Sequence, residues 1–342
     1  MRRTIFLFLT VLPCSVAPFF LYAQSGKSMP DTPDSSLSVC SAEETAGAIA
    51  SYGTFDNWSA REIKESGIIG GKTRNLFEFY GNREVTRTKE PFVAPEGYLW
   101  RTNNVLAVVA GVTKTNNTVY PEKRGNGYCA RLETHIESVR VMGMINMDVT
   151  CQGALFVGKV EEPIRDTKSP MAKVIYGVPF DGRPEALVFD YKADVGHEVV
   201  RGTGFSSLKE MGYPDYPIAY MVLQKRWEEP DGSVHALRVG SAIRQFGENA
   251  PEWVDGYRIE VAYGDITSEP FYRDYMALKN DPETAFWCYN SEGRKVMVQE
   301  EGWADESTQP NYLVINFLAS SGPAFYGGVG NVLWLDNVHL EM

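Results

Sequence analysis

Apolar and polar residues alternate with period two along much of this chain, in segments rich in Val, Ile, Tyr, Phe and Trp. Such alternation predicts strands with one buried and one open face. The segments are Val105 to Val112, Tyr128 to Thr134, Ala186 to Tyr191, Ile218 to Trp227, Tyr257 to Tyr263, Tyr312 to Leu318 and Val332 to Leu340. In the last of these, Val332, Trp334, Asp336, Val338 and Leu340 share one face, and Leu333, Leu335, Asn337 and His339 share the other. Asn126-Gly127, Asp181-Gly182, Asp231-Gly232 and Asp255-Gly256 supply turn signals between strands. Helical pattern is scarce. Ser59 to Ser66 predicts one short helix, with Ser59 as N-cap and Glu62 three residues on, and Glu269 to Lys279 predicts another. No internal repeat is visible. The fold class predicted is all-β, an antiparallel β-sandwich with few short helices, forming one decorated domain over residues 51–342.

The first fifty residues read differently. Residues 1–23 carry a basic start (Arg2, Arg3), an apolar stretch from Ile5 and a small residue, Ala23, at a plausible cleavage point. This is the pattern of a secretory signal peptide, so the chain is expected to be exported, to the periplasm or the cell surface. Cys14 follows Pro13 rather than a small residue, which argues against lipidation there. Residues 24–50 are rich in Ser, Pro and Asp at their start and predict a flexible linker. No other window is apolar enough to span a membrane as a helix.

Composition narrows the partners. The chain has 342 residues, 33 Lys and Arg against 44 Asp and Glu, and a net charge of −11. That acidic balance argues against nucleic acid as a partner. Cys40, Cys129, Cys151 and Cys288 have no CxxC spacing, so a zinc or iron–sulfur site is not expected, while an exported chain permits disulfides in any of three pairings. Ser66 to Thr73 resembles a phosphate-binding loop, but the first Gly is replaced by Ser66 and no apolar strand precedes it, so a Gly-rich turn is the better reading. Only four histidines exist, without HExxH or GxSxG, and a catalytic triad has nothing to recommend it. Acidic residues are too many for a hydrolytic carboxylate pair to be picked out.

Two signals remain. An acidic side chain inside an apolar strand needs a cation or a donor. Asp336 in the last strand and Asp56 in Thr54 to Trp58 are such residues, and a shared structural Ca²⁺ is the cofactor they suggest. Turn-capping or an ion pair with Lys or Arg is the competing reading. Aromatic residues make up 12% of the chain, and sugar rings stack their C–H faces on Trp and Tyr. Trp253 and Trp303, in polar surroundings, are the leading candidates for glycan contact; Trp100, Arg183 and Tyr191 complete the set, and Trp334 reads as core.

Several segments together carry a family resemblance. They are Phe55-Asp56-Asn57-Trp58, Gly97 to Asn103, Gly127 to Thr134, Gly177 to Phe180, Arg183 to Leu187, Tyr191-Lys192, Asn316 to Ser321, and Gly327 to Asn337. In this order they are similar to the PCMD family, a carbohydrate-metabolism domain of Bacteroides-type bacteria. The chain departs from the family pattern at Val188 to Asp194 and at Asn316 to Gly322. The resemblance implies a jelly-roll sandwich like that of carbohydrate-binding modules, exported and acting on glycans. The function expected is non-catalytic binding of an oligo- or polysaccharide by a monomer. A carboxylate-pair glycoside hydrolase and a structural or adhesin-like surface component are the alternatives.

Overall fold

A computed structural model describes residues 41–79, 84–95, 97–109, 111–141, 145–166, 168–204 and 206–342. The signal-peptide reading, Cys14, Cys40 and most of the predicted linker lie outside these residues. The described part is all-β, with one α-helix, Ala42–Tyr52. That helix occupies the end of the stretch expected as linker. Its start is a complete capping box, in which Ser41 and Glu44 satisfy each other's backbone N–H groups. Its Ala46 and Ile49 are buried in the main core, which holds it in place.

Two sheets enclose that core. One has five antiparallel strands in the order Ala250–Glu260, Ala186–Asp194, Val332–Glu341, Gly127–Glu133 and Val119–Arg124. The other is ten-stranded, and its central run is Ala154–Val160, Tyr312–Leu318, Ile218–Glu228, Val234–Gln245 and Lys295–Trp303. Leu187, Phe189, Leu333 and Leu335 of the first sheet meet Ala219, Met221, Leu223, Ile315 and Phe317 of the second. This is the sandwich the alternation predicts.

Ile218 to Leu223 is a continuous apolar run because the ten-stranded sheet is buried on both sides. Its odd positions pack inward. Ile218, Tyr220 and Val222 pack outward against Ile266, Met276 and Phe286 of the segment that follows Tyr263. That outer layer also hides an ion pair. Arg238 bonds both carboxylate oxygens of Glu300, and each side chain is wholly buried. Gln224 donates to Glu300 at 2.6 Å, and the Met276 carbonyl accepts from Arg238 at 2.9 Å.

Four predicted elements differ. Val105 to Val112, predicted as one strand, belongs to two strands of a hairpin, Val105–Val109 and Val112–Asn116. Ser59–Lys64 is a strand, not a helix, since Arg61 is buried between Glu78 at 2.8 Å and Glu162 at 2.6 Å and an isolated surface helix could not bring these together. Glu269 to Lys279 forms only a single 3-10 turn, Asp274–Met276. Asp255-Gly256 does not end a strand. It is a bulge within Ala250–Glu260, where pairing shifts between Phe189–Tyr257 and Tyr191–Val254, and Gly256 takes φ +63°. Ser66 to Thr73 is a Gly-rich turn around Gly67–Ile69, as read.

Candidate functional site

Along each strand of the five-stranded sheet, the residues between the core positions face away from the core. Tyr120, Arg124, Arg131, Trp334, Asp336, Lys192 and Asp190 therefore share one face with Trp253. Asp190 and Asp336 are directly opposite each other on neighbouring strands. Like charges so placed repel, and a guanidinium resolves it. Arg124 Nη1 donates to Asp190 Oδ2 and Asp336 Oδ2, each at 2.7 Å. Its Nη2 donates to Asp255 Oδ1 at 2.6 Å, and its plane stacks 3.8 Å from the Trp253 ring centre.

The bulge completes the arrangement. It turns the Gly256 N–H onto Asp190 Oδ1 at 2.7 Å. A second irregularity lies between Asp336 and His339, where Asn337 has φ +52°; its backbone N–H donates to Asp336 Oδ1 and its amide to Asp190 Oδ2. Every oxygen of both carboxylates thus has a donor; Asp190 Oδ2 has two, and the other three oxygens each keep a lone pair free. Burial alone would push both acids up. At Asp190 the Gly256 N–H, the Asn337 amide and Arg124 outweigh it and hold the carboxyl below its ordinary range. At Asp336 burial prevails over Arg124 and the Asn337 N–H, nearby Asp56 adds to it, and the carboxyl is raised. Hydrogen bonds from Asp190 and Asp336 raise the Arg124 guanidinium against the cost of its burial.

The residues predicted for metal binding are thus brought close, but with other partners. Asp336 meets Arg124, and Asp56 Oδ1 accepts the Tyr128 N–H at 2.9 Å, in the space a side chain at Gly127 would take. Among the described residues no cluster of three or more His, Cys, Asp or Glu is arranged to hold a metal.

The predicted glycan contacts do not gather at one place. Trp253 is half-buried on the Arg124 face. Tyr191 is beside it in sequence register but on the core side, against Phe246 and Tyr257. Trp303 is half-buried in the ten-stranded sheet, near Arg238. Trp100 is 2% exposed and donates to the Ile49 carbonyl, which makes it core rather than a sugar contact. Arg183 is a staple between loops: its guanidinium stacks on Tyr263 and bonds the Thr308 and Glu306 carbonyls, both at 2.6 Å. Trp334, read as core, is half-buried on the open face under the Lys192 ammonium. Sequence reasoning missed Arg124 and Asp190 as a pair, since they are 66 residues apart. Cys129, Cys151 and Cys288 are free thiols.

No protein-family model matches the chain, and no curated protein matches it in sequence. Two solved structures are similar to this chain in part. One is a putative glycoside hydrolase from Bacteroides vulgatus, with TM-score 0.39, 17% identity, and coverage of 66% of this chain and 77% of that one. The other is a putative glycoside hydrolase from Bacteroides thetaiotaomicron, with TM-score 0.40, 16% identity, and coverage of 79% of this chain and 80% of that one.

Proposed function

We propose that this is an exported, non-catalytic glycan-binding protein and that sugar binds on the outer face of the five-stranded sheet. The observation that carries the reading is the Asp190–Arg124–Asp336 cluster held against Trp253. It places on one face the three kinds of group a sugar needs. Trp253 and Trp334 offer ring faces for C–H stacking. Asp190, Asp336 and the exposed Asp255 offer acceptors for hydroxyls. Lys192 and Arg124 offer donors. The groups are fixed by one another before any ligand arrives, so little ordering has to accompany binding.

Catalysis is the second reading, and one observation favours it: the two carboxyls are driven in opposite directions, as in an acid and base pair. Against it, one nitrogen of Arg124 bridges the two acids, so they are tied to a shared cation rather than set on either side of an open gap.

A panel of neutral and acidic polysaccharides separates the two. Retention on at least one of them, without release of reducing ends, and loss of retention in Trp253→Ala and Arg124→Met support binding. No retention on any polysaccharide overturns it. Reducing ends released by the native chain but not by Asp336→Asn would establish the hydrolase instead.

A further inference from the structure

The outer side of the ten-stranded sheet carries a second concavity, remote in chemistry from the Arg124 face. A cleft of about 610 Å³ opens between that sheet and two hairpins, Val105–Val109 with Val112–Asn116 and His135–Val141 with Ile145–Cys151. Its size is within the range of small-molecule sites. Its walls are mainly aliphatic and aromatic, with Ala107, Met171, Ile218, Leu318 and Phe325 among them. An apolar body would displace water from them, which is favourable in proportion to the area covered.

Polar groups also line the cleft, Glu137, Gln152, Asp166 and Glu283 among them, and two bear on what it could bind. Asn316 is 1% exposed, and its amide nitrogen donates to the Tyr220 hydroxyl at 2.7 Å, while its Oδ1 has no hydrogen-bond partner among the described residues. A buried acceptor left unpaired is costly, but a carboxylate brings no donor to it, so Asn316 does not select the charge of a ligand. Lys279 is the second. It lines the cleft half-buried, with no carboxylate within ion-pair distance among the described residues, and Glu300, one of the acids near it, is already bonded by Arg238. Burial and the neighbouring Arg238 both hold the Lys279 amine below the usual lysine range. The other lysines of the cleft have partners: Lys114 meets Glu65 and Glu137, and Lys173 meets Asp166.

We infer that this cleft binds an amphipathic organic anion, its apolar body against the aliphatic walls and its carboxylate-type end on Lys279. The site is independent of the glycan reading, since it shares no residue with the Arg124 face.

Dodecanoate and dodecan-1-ol, titrated calorimetrically into the full chain, test it as a matched charged and neutral pair. Dodecanoate should bind at least about tenfold more tightly than the alcohol. Lys279→Met should remove most of that preference and leave alcohol binding within about twofold. Ala107→Trp fills the cleft and should abolish binding of both, and an unchanged thermal melt shows that the variant is folded. No heat of binding with dodecanoate overturns the inference. So does equal dodecanoate affinity in Lys279→Met, or undiminished affinity in folded Ala107→Trp. Should Ala107→Trp fail to fold, the Lys279→Met comparison alone decides.

Discussion

The outer faces of the two sheets each hold arginine–carboxylate contacts, under opposite conditions. On the five-stranded sheet Arg124 meets three aspartates at an open face, with Asp255 73% exposed. On the ten-stranded sheet Arg238 meets one glutamate with no solvent at all. In the open cluster acids outnumber the guanidinium, and water supplies the remaining screening. In the closed pair charges match one to one, and Gln224 and a carbonyl fill the remaining valences. A face with surplus acceptors and nearby rings can still take a ligand. A fully satisfied pair can only hold structure, and the cleft inferred to bind an anion beside it relies on a different cation, Lys279.

The largest test of this contrast is Arg238→Met. It strands the Glu300 charge in the interior and should cost about 3–5 kcal/mol, read by urea denaturation. The double change Arg238→Met with Glu300→Leu should recover much of that loss. Arg124→Met comes second. Its acids keep the Gly256 and Asn337 donors and some water, so about 1–3 kcal/mol is expected, together with loss of glycan retention. A cost equal to that of Arg238→Met would remove the distinction between the two clusters.

A smaller effect is pH-dependent. His135, between Glu133 and Glu137 on a strand that walls the cleft, is raised to about 9, with burial opposing and the two glutamates prevailing. A raised folded-state value means the contribution is complete below the unfolded value of 6.5 and lost as pH climbs through about 9. Stability should fall by ~1–3 kcal/mol over that window, and His135→Gln should flatten the profile. A profile unchanged in the variant would place the titration elsewhere. The smallest expected effect is that of EDTA. If Arg124 is the cation that Asp336 requires, the thermal midpoint stays where it is, whereas a downward shift would restore calcium to this face.

Much of the sandwich was legible because burial on one or both faces writes itself into residue order. Tyr312–Leu318 has the limits that alternation predicts, and Val332–Glu341 differs by one residue. The two Ser-x-x-Glu signals show where such reading stops. After Ser41 the chain is alanine-rich and has only its own helix to form. After Ser59 the same spacing leads into a strand, because Arg61 is drawn between glutamates from elsewhere in the chain. The site was half legible. Asp336 and Trp253 stood out as an acid in an apolar strand and a ring in polar surroundings. Arg124 did not, because it looks like any residue before a Gly-Asn turn, and its partner Asp336 is 212 positions away. Local pattern records which face a side chain takes, not which distant charge it will meet.

The order of strands in the five-stranded sheet bears on how the molecule comes to exist. Val332–Glu341 is its middle member, flanked by Ala186–Asp194 and Gly127–Glu133, yet follows all the others in sequence. Until that segment pairs, no strand bridges the two halves of the sheet, and Asp190 and Arg124 lack their partners Asn337 and Asp336. Closure therefore waits on contacts of long sequence separation, which slow the search for the native state.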